Sequence, residues 1–180
     1  MYEDLLEKKL RSENIYDGVL LHVRRDTVTL PNGREAVREW VRHPGASAVL
    51  PVFEDGTVLL VRQYRYPVDR VTLEIPAGKL DSPKEDPLVC AERELSEETG
   101  YTAKHWEKLT TIGTTVGFSN EYIHIYAAHD LQAGEQHTDD DEFIHVVKMP
   151  LEEAVERVKS GEIFDAKSVT AILMTAFGKA

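Results

Sequence analysis

The spacing of apolar and polar residues predicts a chain built mainly of strands, with three helices. Two pairs of β-rich runs are each separated by a short turn sequence that ends in glycine. The first pair, residues 17–30 and 34–42, flanks an Asn-Gly dipeptide, which favours a tight reversal and predicts a hairpin. The second pair, residues 47–53 and 57–64, flanks Glu-Asp-Gly and is more continuously apolar, which predicts a hairpin of interior strands.

The clearest helix is predicted over residues 87–99. Asp86 is suited to cap its N-terminus, Pro87 fits the first helical position, and Gly100 is typical of a helix end. The same patterns predict the other elements: strands at residues 71–75, 108–113, 121–128 and 143–149, and helices at residues 151–160 and 167–177. Together they predict an α/β or α+β fold, in which helices pack on a mixed sheet.

Composition narrows the class of protein. A chain of 180 residues, 42% of them hydrophobic, is long enough for one globular domain with a full core. No apolar run approaches the roughly 18 residues of a membrane span, the charged N-terminus lacks the apolar segment of a secretion signal, and Cys90 is the single cysteine. These features predict a cytoplasmic protein. The net charge of −11 argues against nucleic acid as a partner and favours a small molecule.

The predicted helix at residues 87–99 carries an acidic cluster. At helical spacing Glu94, Glu97 and Glu98 share an arc of about 100°, next to an apolar stripe that includes Leu95. Like charges at this spacing repel one another, and Arg93 can offset only part of the charge. Three fixed carboxylates suit a hard divalent cation such as Mg²⁺. The alternative is a solvated acidic face that pairs with neighbouring cations.

At this helix the chain resembles the Nudix family. Gly78, Glu85 and the run RELSEETGY at residues 93–101 are similar to the Nudix box, G-x5-E-x7-R-E-U-x-E-E-x-G-U, where U is aliphatic or aromatic. The match is complete from Glu85 onward, whereas six residues separate Gly78 from Glu85 where the family usually has five. The resemblance implies the Nudix fold, a mixed β-sheet sandwiched between helices, with an N-terminal β-hairpin extension in this chain.

The resemblance also implies a chemistry, the hydrolysis of a nucleoside diphosphate linked to another moiety. The metal ligands that it implies are the carboxylates of Glu94, Glu97 and Glu98 and the carbonyl of Ala77. The ions would be Mg²⁺ or Mn²⁺, two or more in number. Arg93 and Glu85 would position these groups, so that Arg93, Glu97 and Glu98 act together in catalysis.

Further segments are similar to the branch of the family that hydrolyses ADP-ribose and other nucleoside diphosphate sugars: residues 43–52, 59–70, 73–81, 117–121, 139–143 and 161–171. This likeness implies cleavage of the pyrophosphate bond, which gives a nucleoside monophosphate and a sugar phosphate. It places Arg62, Arg65 and Glu74 beside the substrate, and Glu121 near the metal ions or the terminal sugar phosphate. For the two arginines, ion pairing on a strand face is the alternative.

The catalytic base and the exact substrate are less closely defined. Members of this branch often carry the base on a loop remote from the box, which makes Asp140 and Glu142 the candidates, with the box glutamates as the alternative. Where ADP-ribose hydrolases commonly have a Ser-Pro-Gly turn, this chain has Thr-Val-Gly at residues 115–117, so GDP-mannose and ADP-glucose stay open. A sensor that binds ADP-ribose without cutting it is the non-enzymatic alternative.

The N-terminal part of the chain is expected to have a separate role. Residues 1–45 are predicted to supply dimer-forming strands, and residues 46–180 the Nudix hydrolase domain, within one structural unit. In the branch that the chain resembles, such strands exchange between the subunits of a homodimer. By that analogy the protein is a homodimer, and Arg38 or Arg42 reaches the substrate of the partner subunit.

Overall fold

A computed structural model describes residues 2–138 and 142–178. No helix in these two ranges is long and apolar enough to cross a membrane. The chain divides into two compact units, with these bounds: Met1–Pro44 and Gly113–Glu121 form the first, and Gly45–Ile112 and Tyr122–Ala180 form the second.

The first unit is built on a three-stranded antiparallel sheet, in the order β1-β2-β3. The strands are β1 (Lys8–Asp17), β2 (His22–Thr29) and β3 (Glu35–Arg42). The predicted hairpin at the Asn-Gly turn is confirmed by the pairing of β2 with β3, and Gly33 has the positive φ of 81° that such a turn requires.

The predicted N-terminal hairpin is therefore incomplete, because β1 adds a third strand to it. The sequence of β1, KKLRSENIYD, lacks the alternation of apolar and polar residues from which a strand is predicted, and every residue of β1 is exposed. The predicted run over residues 17–30 is also divided. Asp17 ends β1, and a turn closed by a 2.9 Å hydrogen bond from the N–H of Gly18 to the carbonyl of Leu21 leads into β2.

In the part of the second unit that the structure describes there are two sheets, in the orders β7-β4-β9-β8 and β10-β5-β6. The strands are β4 (Ala46–Pro51), β5 (Thr57–Arg65), β6 (Arg70–Glu74), β7 (Ala77–Lys79), β8 (Tyr101–Gly113), β9 (Tyr122–Ala133) and β10 (His145–Pro150). In the first of these sheets β4 pairs in parallel with β9 and antiparallel with β7, so the sheet is mixed as predicted. The sheet β10-β5-β6 is antiparallel throughout.

The second predicted hairpin is confirmed at its turn but not along its strands. β4 and β5 belong to different sheets, and an isolated bridge between Val52 and Val58 joins the ends of the two runs. All six residues of β4 are buried, so both of its faces are covered and its partner strands come from distant parts of the chain. A turn sequence reports the reversal of the chain but not the sheet that each strand then joins.

The described residues of the second unit also form three α-helices, and all three were predicted. They are α1 (Pro87–Thr99), α2 (Leu151–Lys159) and α3 (Ala166–Phe177), with single 3₁₀ turns elsewhere at Glu3–Leu5 and Tyr66–Val68. The ends of α1 follow from local chemistry. Asp86 caps it by accepting a 2.9 Å hydrogen bond from the N–H of Leu88, and Gly100 ends it with a φ of 75°.

Helices α1 and α3 cover opposite faces of β4, because successive side chains of a strand point to opposite sides. Leu50 belongs to the main core, together with Ile172 of α3. Val49 packs in a separate cluster with Leu95 of α1, and Ser47 on that same face donates a 2.6 Å hydrogen bond to the carbonyl of Pro87. The predicted architecture, a mixed sheet between helices, is confirmed.

Candidate active site

The turn between β6 and α1 lies directly against the acidic residues of the helix. The N–H of Ala77 donates a hydrogen bond to Oε2 of Glu98 at 3.2 Å. A methyl group built on Gly78 would overlap the carboxylate of Glu94. Glycine is therefore required at this position for the main chain of β7 to approach Glu94 so closely.

Glu94 and Glu98 form a buried acidic pair. They are 9% and 3% exposed, and burial raises the pKa of Glu94 to about 7 and that of Glu98 to about 8. Their mutual repulsion raises the pKa of Glu98 further. Glu98 forms no ion pair with any residue that the structure describes. A buried pair of carboxylates short of positive charge is an environment that a divalent cation would complete.

Arg93 binds two of the three glutamates. Its Nη1 donates to Glu94 at 2.7 Å and to Glu97 at 3.1 Å, while its Nη2 donates to the carbonyl of Lys79 at 3.2 Å. Glu85 lies 3.7 Å from the same Nη2. These partners hold the pKa of Arg93 well above its usual range, against the effect of burial. Arg93 thus fixes the carboxylates of Glu94 and Glu97 by charge-assisted hydrogen bonds.

The carboxylates of Glu94, Glu97 and Glu98 do not all converge on one point. Within residues 2–138 and 142–178 no group of three Asp, Glu, His or Cys side chains is arranged to hold a metal ion. Glu94 and Glu98 are buried together, whereas the side chain of Glu97 is 43% exposed and turns to Arg93. In donor chemistry the residues fit a hard divalent cation, since they offer carboxylate oxygens beside main-chain groups of β7. The full ligand set stays a prediction.

A loop that follows β9 reaches this end of α1. Nε2 of Gln136 donates a 2.6 Å hydrogen bond to the main-chain carbonyl of Glu98. Further along this loop the charge of Glu142 raises the pKa of both Glu94 and Glu98. The described part of the loop therefore carries one candidate base, Glu142, within electrostatic range of the buried pair. The other candidate, Asp140, lies outside the described residues.

A second charged network lies at the end of β6. Arg65 holds Glu74 by two hydrogen bonds, from Nε at 2.9 Å and from Nη2 at 2.8 Å. Lys167 of α3 also forms an ion pair with Glu74, and its Nζ lies 2.8 Å from the carboxylate of Asp165. Burial alone would raise the pKa of Glu74, but Arg65 and Lys167 lower it to about 2.

Arg62, the other predicted arginine of β5, has different neighbours from Arg65. Arg62 and Arg65 are three residues apart in a strand, so their side chains leave opposite faces of it. Arg62 forms an ion pair with Glu162 at 3.1 Å, which is the strand-face pairing considered as the alternative. A role for Arg62 beside the substrate stays a prediction.

Two of the predicted substrate residues belong to the first unit. Glu121 accepts a 2.6 Å hydrogen bond from Thr114, and its other carboxylate oxygen lies 3.5 Å from Nε2 of His43. Arg42 ends β3, opposite His22 in the sheet register. Glu121 thus has partners within its own unit, and Arg42 is placed by the strand register. The roles of both residues toward a substrate stay predictions.

Two residues of these networks were missed from the sequence. Lys167 is 93 positions away from Glu74, and its one sequence signal is a lysine among the apolar positions of a helix. Gln136 stands in a polar loop that has no periodic pattern. Neither residue can be assigned to its network without the tertiary structure.

Comparison with known proteins defines the class to which this fold and site belong. The family model described as NUDIX domain matches residues 41–171, and the model described as nucleoside diphosphate sugar hydrolase N-terminal domain matches residues 7–41. The chain therefore belongs to the Nudix family of hydrolases, as its box predicted. Members of this family generally depend on divalent metal ions.

Several characterised relatives match nearly the whole chain. The ADP-ribose pyrophosphatase of Bacillus subtilis is 44% identical over 172 residues, which cover 94% of this chain and 92% of the relative. The methanol dehydrogenase activator of Bacillus methanolicus is 42% identical, with coverages of 92% and 90%. The GDP-mannose pyrophosphatase of Cronobacter sakazakii is 36% identical, with coverages of 92% and 91%.

A solved structure agrees with the fold. The crystal structure of an ADP compounds hydrolase superimposes with a TM-score of 0.83 at 25% sequence identity, and the match covers 96% of this chain and 94% of that one. The predicted Nudix fold is confirmed.

Proposed function

We propose that this protein hydrolyses the pyrophosphate bond of a nucleoside diphosphate sugar, giving a nucleoside monophosphate and a sugar phosphate. The observation that carries the proposal is the buried pair Glu94 and Glu98, held against the main chain at Ala77 and Gly78. Arg93 pairs with Glu94, and among the described residues no ion pair reaches Glu98. Membership of the Nudix family and the match to the N-terminal domain of nucleoside diphosphate sugar hydrolases support it.

The cofactor in this proposal is Mg²⁺ or Mn²⁺, with two or more ions. The groups that would hold the ions are the carboxylates of Glu94, Glu97 and Glu98 and the carbonyl of Ala77. When bound, such ions neutralise a diphosphate, polarise it and lower the pKa of a water molecule. The chain supplies the anionic oxygens, and Arg93 fixes two of them by its hydrogen bonds to Glu94 and Glu97.

The attacking water needs a base, and we assign this role to Glu142. Its charge acts on both buried glutamates, so its carboxylate belongs to the same electrostatic environment. Asp140 is the second candidate on sequence grounds. A glutamate of the box is the third, because burial gives Glu94 and Glu98 pKa values of about 7 and about 8, near the range in which a base works well.

Arg65 is the group that we assign to the substrate phosphates. Its Nε and Nη2 are bound to Glu74, which leaves Nη1 to donate to a phosphate oxygen. Glu74 orients Arg65 in this scheme. Arg62, Glu121 and Arg42 are assigned to substrate binding by the likeness to the branch.

A hydrolysis panel with Mg²⁺ tests the proposal. It contains ADP-ribose, GDP-mannose, ADP-glucose, diadenosine polyphosphates and 8-oxo-dGTP, and we expect a sugar nucleotide to be preferred. Relatives named for ADP-ribose and for GDP-mannose both match the chain, so the panel also identifies which nucleobase and which sugar the substrate carries. Preference for 8-oxo-dGTP would overturn the substrate class, and ADP-ribose binding without turnover would indicate a sensor.

Substitutions on α1 test the metal ligands in the same assay. Glu97→Gln and Glu98→Gln should each lower the rate by about a hundredfold or more, since each removes an anionic oxygen donor. Glu92→Gln is the matched control, because Glu92 is on the same helix and exposed. Equal activities of all three variants would contradict the assignment.

We further propose that the protein is a homodimer formed through its first unit. All ten residues of β1 are exposed, and the unit also exposes many large apolar side chains: Leu5, Leu6, Leu10, Ile15, Tyr16, Val19, Leu20, Leu21 and Val37. Apolar surface of this extent is typical of an interface between chains. Light scattering should give twice the mass of one chain, and Leu10→Lys with Ile15→Lys should give monomers. A monomeric wild-type protein at micromolar concentration would overturn this proposal.

A further inference from the structure

The lysine at the start of α3 is buried in a protein rich in exposed charges. The side chain of Lys167 is 8% exposed, and its Nζ pairs with Glu74 and with Asp165. Removing an ammonium group from water is costly unless partners replace the lost hydration. Lys167 has no part in holding the metal ions or activating the attacking water in the proposed function, so its burial calls for another explanation.

Lys167 and Arg65 bind the same carboxylate. Nη2 of Arg65 donates to Oε2 of Glu74, and this is also the oxygen that Lys167 binds. Asp165, Lys167, Glu74 and Arg65 therefore form a chain of alternating charges.

The two cations differ in their access to solvent. The side chain of Arg65 is 41% exposed, whereas those of Glu74 and Lys167 are 4% and 8% exposed. Nη1 of Arg65 has no hydrogen-bond partner among the residues that the structure describes. A soluble anion can therefore reach Arg65, whereas Lys167 is buried beside Glu74.

The start of α3 is itself fixed to β6. Oγ of Ser168 accepts a 2.8 Å hydrogen bond from the N–H of Ile75, the residue after Glu74. Asp165 caps the helix by accepting from the N–H of Ser168 at 3.3 Å. These bonds set the position of Lys167 before any ligand arrives, so its pairing with Glu74 costs little further ordering.

We propose that Lys167 is a positioning residue for substrate binding. Its ammonium group offsets part of the negative charge of Glu74, so that Glu74 orients Arg65 without neutralising the guanidinium. The inference rests on the proposed function, in which Arg65 binds a substrate phosphate. Arg65 and Glu74 alone would form a neutral pair with little attraction for a diphosphate. With Lys167 bound to the same carboxylate, less of the negative charge of Glu74 acts on the guanidinium, and Asp165, which pairs with Lys167, offsets this only in part.

The test is Lys167→Met, assayed with the sugar nucleotide that the wild-type protein hydrolyses best. KM should rise about tenfold, while kcat per folded molecule stays within about twofold, since the change weakens binding by Arg65 and leaves the metal and the base in place. A lysine that only stabilised the fold would lower the folded fraction, which reduces the apparent kcat and leaves KM unchanged. Lys159→Met, at an exposed lysine of α2, is the control.

Two further variants make the outcome decisive. Lys167→Arg keeps the charge and should return KM to within about threefold of wild type. In a Glu74→Gln background, Lys167→Met should change KM by less than about twofold, because the shared carboxylate through which it acts is gone. A full tenfold effect in that background would overturn the inference.

If Lys167→Met does not fold, Asp165→Asn replaces it. The asparagine can still cap α3, but it removes the carboxylate that competes for Lys167, so KM should fall about twofold or more. An unchanged or raised KM would overturn the inference.

A wild-type protein without activity on any sugar nucleotide would overturn the proposed function and this inference with it. An active wild type with unchanged KM in Lys167→Met would overturn the inference alone.

Discussion

The N–H of Ala77 donates to the carboxylate of Glu98 at 3.2 Å, which ties the turn after β6 to the last turn of α1. Beside this bond Gly78 lies against the carboxylate of Glu94. The hydrogen bond from Ala77 holds the carboxylate of Glu98, and the one from Arg93 holds that of Glu94. A site for a small ion needs ligands held in this manner.

Gly78→Ala should preserve the fold and impair the site. The added methyl group overlaps the carboxylate of Glu94, the end of a flexible side chain that can move, whereas the main chain need not. We expect kcat/KM to fall by about tenfold or more, with a higher Mg²⁺ concentration required for half-maximal rate. Thermal melting and Mg²⁺ titration of the rate measure the two effects. An unchanged Mg²⁺ requirement would show that Glu94 is not a ligand.

The stability of the metal-free protein should fall as the pH rises from about 5 to 8. Burial raises the pKa of Glu94 to about 7 and that of Glu98 to about 8, against 4.5 for a free glutamate. In this window the native state holds more protons than the unfolded state, so the free energy of unfolding decreases with pH. Melting temperatures measured in a chelator should show this trend, and added Mg²⁺ should oppose it at the alkaline end.

Substitution on α1 provides the check on this pH dependence. Glu98→Gln should weaken the trend, because the amide does not titrate, whereas Glu92→Gln at an exposed position of α1 should leave it intact. If the melting temperatures of Glu98→Gln and Glu92→Gln both change with pH as steeply as that of the wild-type protein, groups other than Glu98 are responsible.

Glu142→Gln should lower kcat by about a hundredfold or more, which is the usual contribution of a general base. The same change should lower the pKa of Glu94 and Glu98, since the charge of Glu142 raises both. The pH profile of kcat/KM measures this shift, and Glu135→Gln, an exposed residue of the same loop, is the control. A large effect of Asp140→Asn, with a small effect of Glu142→Gln, would move the role to Asp140.

Glu74→Gln should destabilise the protein by about 3 kcal/mol, because it leaves Lys167 buried without its main partner. Replacing both members, as Glu74→Gln with Lys167→Met, should recover part of that loss. Urea unfolding of the two variants and the wild-type protein measures the difference. A double variant less stable than Glu74→Gln would contradict a buried ion pair at this place.

Elements governed by neighbouring residues were predicted well. Asp86, Pro87 and Gly100 set both ends of α1, and the Asn-Gly turn set the β2–β3 hairpin, because caps and tight turns depend on residues a few positions apart. The box on α1 identified the family for the same reason. Its residue types recur at the spacing of a single helix.

Elements that depend on distant partners were predicted poorly. The strand β4 joins β9 and β7 rather than its neighbour β5, and β1 has no apolar face by which a strand could be recognised. Strand pairing is decided by which surfaces become buried, and the sequence near a strand does not contain that information.

The sequence by itself determined the acidic helix, its ends and the family to which its glutamates belong. The tertiary structure decided that Glu94 and Glu98 are buried together while Glu97 turns to Arg93, and that Lys167 reaches Glu74 across 93 residues. The physical reason is that residue types and local spacing are written along the chain. Burial, which sets the pKa and pairing of each charge, arises only when separate elements pack together.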